Sequence, residues 1–238
     1  MLDMSRSRSF RSIERPVVSG QSIAEEGLAL MYQPSGGAAG FVQTADATAG
    51  RVLAGISYGT RVSPTTFISV ETYTIPSSSP YTVTVTQAIT SGTVLAKLAS
   101  GTVLTVTGSP PATGEVQVTG GSAVLTFNSA QAGLTFTVTY RYSLTVQQAQ
   151  MLVGDPQPSS NTPATATGQI GMMLIGDIYT SEFDSSVDWN AANVVDIRLA
   201  ANGRMTIGGS GTVVYPAVKV IAGPTADYPF LGLSIAIQ

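Results

Sequence analysis

The chain is 238 residues long and 43% apolar, enough for one large or two small domains with a buried core. Charged residues make up only 11%, against about 25% in an ordinary globular chain, and a surface so poor in charge suits a subunit that buries much of it against others. With no Cys and no His, disulfides, thiol nucleophiles, Ser-His-Asp triads, imidazole acid–base work and the common zinc sites are excluded, and a net charge of −3 gives no basic field for nucleic acid.

Arg6, Arg8, Arg11 and Arg15 stand among the first fifteen residues, with only Asp3 and Glu14 against them. That segment carries about +2 and leaves about −5 on the rest. Residues 1–19 therefore read as an extended basic arm, with Pro16 biasing Arg15 away from helix. Two readings of the arm stand: a solvated tail, or a segment that docks on an acidic partner. Met1–Arg6 has no apolar h-region, so no secretory signal is expected. The chain is expected to be made in a cytoplasm.

Residues 20–60 are rich in Gly and Ala. Ile23–Tyr32 fits a short helix or a strand; Phe41–Gln43 and Val52–Tyr58 read as strands. From about residue 60 the texture changes: 20 of the 29 Thr residues fall between Thr60 and Thr145. Thr and Val alternate over Tyr81–Thr86, Val103–Thr107 and Thr135–Tyr140, which puts one face on a core and one in water. Pro and Gly punctuate the runs at Pro76–Pro80, Ser91-Gly92, Ser100-Gly101, Pro110-Pro111 and Gly120-Gly121, as in an antiparallel sandwich or barrel. The echo Gly92-Thr93-Val94-Leu95 and Gly101-Thr102-Val103-Leu104 reads as two adjacent strands.

After Leu144 the Thr texture stops. Val146–Leu152 is the best short helix, and Asp155–Thr167 reads as a linker or exposed loop. The apolar stretch Ile170–Ile178 is too short and too Gly-interrupted to span a bilayer, so no membrane partner is expected. Strands are expected at Gly168–Thr180, Val194–Leu199, Arg204–Ile207, Val213–Val220 and Leu231–Ile237, with Asn202-Gly203 as a hairpin turn. The expected fold is all-β, with antiparallel sandwich or barrel units behind the arm. Residues 61–145 would form one Thr/Val-rich unit inserted into a base domain built from 20–60 plus 146–238; two sequential domains are the alternative.

Few residues carry chemistry. Asp177, Glu182, Asp184 and Asp188, followed by Asn190, form an acidic cluster, but their spacing is not that of an EF-hand loop. They read as turn-capping carboxylates, and no metal is expected. Asp184 and Asp188 carry no mark of a glycosidase pair. Lys97 and Lys219 are the only amine bases. Gly208-Gly209-Ser210-Gly211 lacks the Lys and helix of a phosphate loop and reads as a turn. Trp189 reads as a core or interface anchor, and Tyr228-Pro229-Phe230-Leu231 as a last core strand or an interface patch.

Two stretches carry a resemblance. Thr113–Val118, Ala123–Gly133 and Phe136–Tyr142 look like a β-hairpin pattern common in tailed-phage virion proteins: a "TG-x-V" strand, then "TF-x-x-A-x-AG" with Ala132-Gly133 as the tight turn, then "VTY-x-Y". Gly176–Asp184, Asp188-Trp189, Asn202–Thr206 and Pro229–Gly232 resemble tailed-bacteriophage capsid decoration (cement) proteins. That resemblance implies a virion structural protein on the capsid exterior. It would bind the major capsid protein, bridge neighbouring subunits, and assemble with itself as a trimer or dimer. It implies no catalytic residue and no cofactor. On that reading Arg6, Arg8, Arg11 and Arg15 form the capsid-binding arm, and Trp189, Tyr228, Phe230 and Leu231 are interface candidates. The alternatives are a tail, baseplate or fibre component, or a calcium-dependent carbohydrate-binding module.

Overall fold

The computed structural model describes residues 1–23, 25–33, 40–58, 64–153, 168–192 and 194–238. The linker expected over Asp155–Thr167 lies outside them. The described chain is nearly all β, with antiparallel pairing in all but one of its strand pairs.

The first sheet is built from β1 (Arg8–Pro16), β2 (Ala29–Tyr32), β3 (Val42–Thr44), β4 (Leu53–Tyr58), β12 (Gln169–Thr180), β15 (Val218–Ala222) and β16 (Leu231–Ala236). Strands on both sides of the Thr-rich block thus share one sheet. β12 is its centre: one edge pairs with β1 from Arg8↔Asp177 to Pro16↔Gln169, and the other with β4 and β16. Just past β1, Val17 bridges Val42 of β3 in parallel, and Val18 N–H donates to Val42 O at 2.9 Å. The ring β1-β12-β4-β2-β3 therefore closes at that point. Inside it pack Val17, Leu30, Val42, Ile170, Met172 and Leu174. Much of the basic segment, Arg8–Pro16, is thus a strand of this ring.

A hairpin of β13 (Ile197–Leu199) and β14 (Met205–Ile207) covers the outside of the ring. Its tip is the expected Asn202-Gly203. Gly203 has φ +75°, and a Cβ there would lie 2.5 Å from Thr44 Cγ2. Its carbonyl accepts from Ala29 N–H at 2.6 Å and its N–H donates to Ala45 O at 3.0 Å, so the tip is stitched to β2 and the chain after β3. Only Gly meets both conditions.

The Thr-rich block forms the second sheet, β5 (Thr66–Thr74), β11 (Thr135–Ser143), β7 (Leu95–Leu98), β8 (Val103–Thr107), β9 (Glu115–Val118), β10 (Val124–Phe127) and β6 (Thr82–Thr84), in that spatial order. The Gly-Thr-Val-Leu echo does place β7 beside β8, with Ala96 opposite Leu104. The resemblance to a hairpin holds only for β9 and β10. Beyond β10 a 3₁₀ turn (Ser129–Gln131) and Gly133, at φ +74°, reverse the chain, but β11 then runs between β5 and β7 rather than beside β10. On β11 the period-2 pattern is plain: Phe136, Val138 and Tyr140 are fully buried with Phe127, Leu125 and Val116. Thr135 and Thr137 face out, their hydroxyls 3.2 and 3.1 Å from those of Thr74 and Thr72.

The sheet curls until its first and last strands nearly meet, and Glu71 of β5 ties them. Its carboxylate accepts from Tyr140 Oη at 2.6 Å, from Ser69 Oγ at 2.6 Å, from Thr86 N–H just past β6 at 3.1 Å, and from the Tyr73 hydroxyl. Burial opposes ionisation of Glu71, but these donors hold its carboxyl below the usual range. After β11 the helix α1 (Val146–Val153) forms where expected. Thr145 caps it: Gln148 N–H donates to Thr145 Oγ1 at 3.3 Å, and Thr145 N–H to Gln148 Oε1 at 2.9 Å.

Candidate functional site: the unit junction and the docking surfaces

The two sheets meet around Glu182, whose side chain is fully buried. One carboxylate oxygen accepts from the Met1 ammonium at 3.0 Å and from Ser181 Oγ at 2.9 Å. The other accepts from Arg204 Nε at 3.1 Å and Arg141 Nη1 at 3.4 Å. Arg141 comes from β11 of the Thr-rich unit and is 2% exposed. It also donates to Thr66 Oγ1 at 2.9 Å, to Phe183 O at 3.1 Å and to Ser181 O. Burial works against ionisation of Glu182, yet three cationic neighbours hold its carboxyl far below the ordinary range.

A second carboxyl, Glu25, lies near enough to Glu182 for the charge of one to act on the other. Its Oε1 accepts from Thr65 Oγ1 at 2.8 Å and Thr65 N–H at 3.2 Å, while its Oε2 is buried without a donor. Two carboxylates cannot share a dry site as a charged pair. A proton on Glu25 relieves the repulsion between them. Burial first, and then the charge of Glu182, raise the Glu25 carboxyl above its usual 4.5. A raised carboxyl means that the fold holds a proton the unfolded chain has released. Its contribution is complete below pH 4.5 and is lost as pH rises through the folded value. Glu25→Gln keeps an acceptor for Thr65 and stays uncharged at every pH. Urea denaturation from pH 4 to 9 is therefore expected to show a stability gain over the native chain that grows with pH; a gain independent of pH would contradict the raised Glu25 carboxyl.

Three further contacts lock the units. Lys97 Nζ of β7 lies 2.6 Å from Asp188 Oδ2. Ser185 Oγ donates to Thr93 O at 2.7 Å. Phe67 of β5 meets Phe230 edge-on at 5.5 Å. Ile68 and Val70 of β5 belong to the same buried cluster as Phe183, Leu231 and Leu233 of the base. The junction is thus apolar as well as ionic.

The acidic cluster seen in the sequence does not converge on one point. Asp177 sits on β12 opposite Arg8. Glu182 anchors the junction. Asp184 accepts from Ser186 N–H at 2.9 Å and Thr206 Oγ1 at 2.7 Å. Asp188 holds Lys97 and caps Asn190 N–H at 3.1 Å. Among the described residues, no group of three or more His, Cys, Asp or Glu is arranged to hold a metal ion.

Of the four interface candidates, three are buried. Trp189 is 3% exposed, packs edge-on to Phe183 at 6.2 Å, and donates its indole N–H to Asp184 O at 2.8 Å. Leu231 is fully buried. Phe230 is also buried, at the junction. Tyr228 alone remains half-exposed, and it meets the arm: the Arg6 guanidinium stacks 4.0 Å over its ring, and its hydroxyl donates to Asp3. Burial, and then that carboxylate, push the Tyr228 hydroxyl well above its usual value. Arg6, Arg8 and Arg11 are exposed and Arg15 is half-exposed. Among the described residues none of the four is in an ion pair, and no strand covers the outer edge of β1 between Arg8 and Pro16.

The chain matches no family model, no curated protein and no solved structure.

Proposed function

We propose that this chain is a phage virion structural protein that docks on the outer capsid surface and stabilises the head by bridging subunits of the major capsid protein. One observation carries the reading. Among the described residues, Arg8 and Arg11 are exposed, in no ion pair, and lie along a strand whose outer edge is open. An open edge offers backbone donors and acceptors to an extended segment, and the arginines select an acidic one. The rest supports a scaffold rather than a catalyst. The buried carboxylate Glu182 and the half-buried Glu71 are fixed in place by donors from different parts of the chain, and two β units are locked into one body that can span a gap between subunits. Many weak contacts of this kind add across a repeating shell.

Co-sedimentation with expanded capsids built from the major capsid protein alone tests the reading. Saturable binding at a fixed ratio to capsid subunits is the expected result. Replacing Arg6, Arg8, Arg11 and Arg15 together with Ala should remove about 0.5 kcal/mol per arginine, roughly tenfold or more in affinity, and flatten its dependence on salt. Unchanged occupancy of the variant would remove the arm from the contact. Failure of the native chain to bind would contradict the proposal and favour a place in the tail.

A further inference from the structure

Where the two units meet, a pocket of about 290 Å³ opens beside the ionic junction. That volume is at the small end of the ~300–1,000 Å³ of ligand clefts. Thr93 and Arg141 of the Thr-rich unit line one side, and Asp184, Ser185, Asn202 and Arg204 of the base line the other. Ser185 Oγ joins the two sides by donating to Thr93 O at 2.7 Å. The pocket is reachable from solvent, since Asn202 is exposed and the Arg204 side chain is 21% exposed.

In these walls the acceptors are spent and donors are left over. Asp184 is the only acid in the lining. Its Oδ1 accepts from Ser186 N–H at 2.9 Å and from the Ser186 hydroxyl, and its Oδ2 accepts from Thr206 Oγ1 at 2.7 Å. Arg204 spends Nε on Glu182 at 3.1 Å and Nη2 on Thr66 Oγ1 at 3.5 Å. Its Nη1 donates to nothing among the described residues. Asn202 accepts from Arg204 N–H through Oδ1 at 3.3 Å, and its Nδ2 has no acceptor among the described residues. Behind the pocket, Arg141 and Arg204 share the one carboxylate of Glu182. Two guanidinium groups, free donors and an acid already engaged at both oxygens select a ligand that brings an anionic acceptor.

We infer that this pocket binds a small organic acid, whose carboxylate accepts from Arg204 Nη1 and Asn202 Nδ2. The planar fork of an arginine suits a carboxylate better than a point anion. The volume holds roughly ten waters at ~30 Å³ each, more than a bare carboxylate group displaces, so the ligand carries further atoms. A molecule in this place touches both units and adds to the contacts that make them one body. Its binding therefore stabilises the folded chain, whether or not the arm docks on a shell.

Thermal melting of the full chain with succinate as the probe tests this, against sodium chloride at matched ionic strength and against succinamide, the uncharged counterpart of similar size. Succinate is expected to raise Tm saturably, by about 2–5 °C at ten times its half-saturating concentration, while succinamide and chloride leave it in place. Amide exchange at residues 92–93, 184–186 and 200–204 is expected to slow with succinate bound. Asn202→Asp keeps an acceptor for Arg204 N–H and suits the same turn, but it replaces the free donor by a negative charge. Melting without ligand verifies its fold, and it is expected to bind succinate at least tenfold more weakly. No saturable shift of the native chain, an equal shift with succinamide, or undiminished binding by Asn202→Asp would each overturn the site.

Discussion

Glu182→Gln is expected to lower folding stability by about 3–5 kcal/mol, the range seen when one partner of a buried ion pair is removed. The amide would leave Arg141, 2% exposed, without its counter-charge, and would face Arg204 and the Met1 ammonium with half its acceptors. Urea unfolding at pH 7 measures it. Asp188→Asn is the control: its partner Lys97 is 30% exposed in the side chain, and such a pair contributes about 1 kcal/mol or less. Replacing Arg141 by Met and Glu182 by Leu together should recover part of the loss, since the remaining cost is the unpaired charge rather than the absent bond. A Glu182→Gln loss no larger than that of Asp188→Asn would mean that the junction is held by its apolar contacts alone.

The second large effect is at Gly176. Its φ is +149°, and a Cβ there would stand 2.1 Å from the carbonyl oxygen of Arg8 and 3.0 Å from Ser9 Cα. Both are backbone atoms of β1, beside the irregularity in its pairing at Ser9/Arg11. No side-chain rotation relieves the contact, so Gly176→Ala must push β1 off β12. Strain at such a backbone conformation costs about 1–3 kcal/mol, and the displaced strand adds to it. The expected result is a loss of about 3 kcal/mol or more, with fast amide exchange over Arg8–Ser12 and weakened capsid binding. Gly101→Ala, at φ +93° with open space around it, should cost only about 1 kcal/mol. Equal losses at the two sites would show that β1 is not held where the structure places it.

Much of this architecture is legible in the sequence, because period-2 alternation reports one buried face. Phe136, Val138 and Tyr140 declare themselves in that way, as do the Asn202-Gly203 turn and the adjacency of β7 and β8. The pattern fails where two apolar residues are neighbours: in Val103-Leu104, Leu104 takes the inward place at 2% exposure and Val103 stands out at 47%. It fails more deeply at Arg141. On β11 this residue falls on the face of the outward threonines and reads as solvated, yet the base unit covers that end of the face. Its partner Glu182 is 41 residues away and reads as one more acid in a cluster. Only the packing of one unit on the other brings them together, and no local signal reports it. Trp189 and Leu231 illustrate the converse, since an apolar anchor looks alike in a core and at an interface.

The most direct test of the central claim is calorimetry of expanded capsids with and without the protein. The account predicts that shell melting moves to higher temperature as the protein is added and stops moving at a fixed ratio to capsid subunits, because a bound bridge stabilises the assembled state. Shell melting that stays constant up to a large excess of folded protein would contradict it.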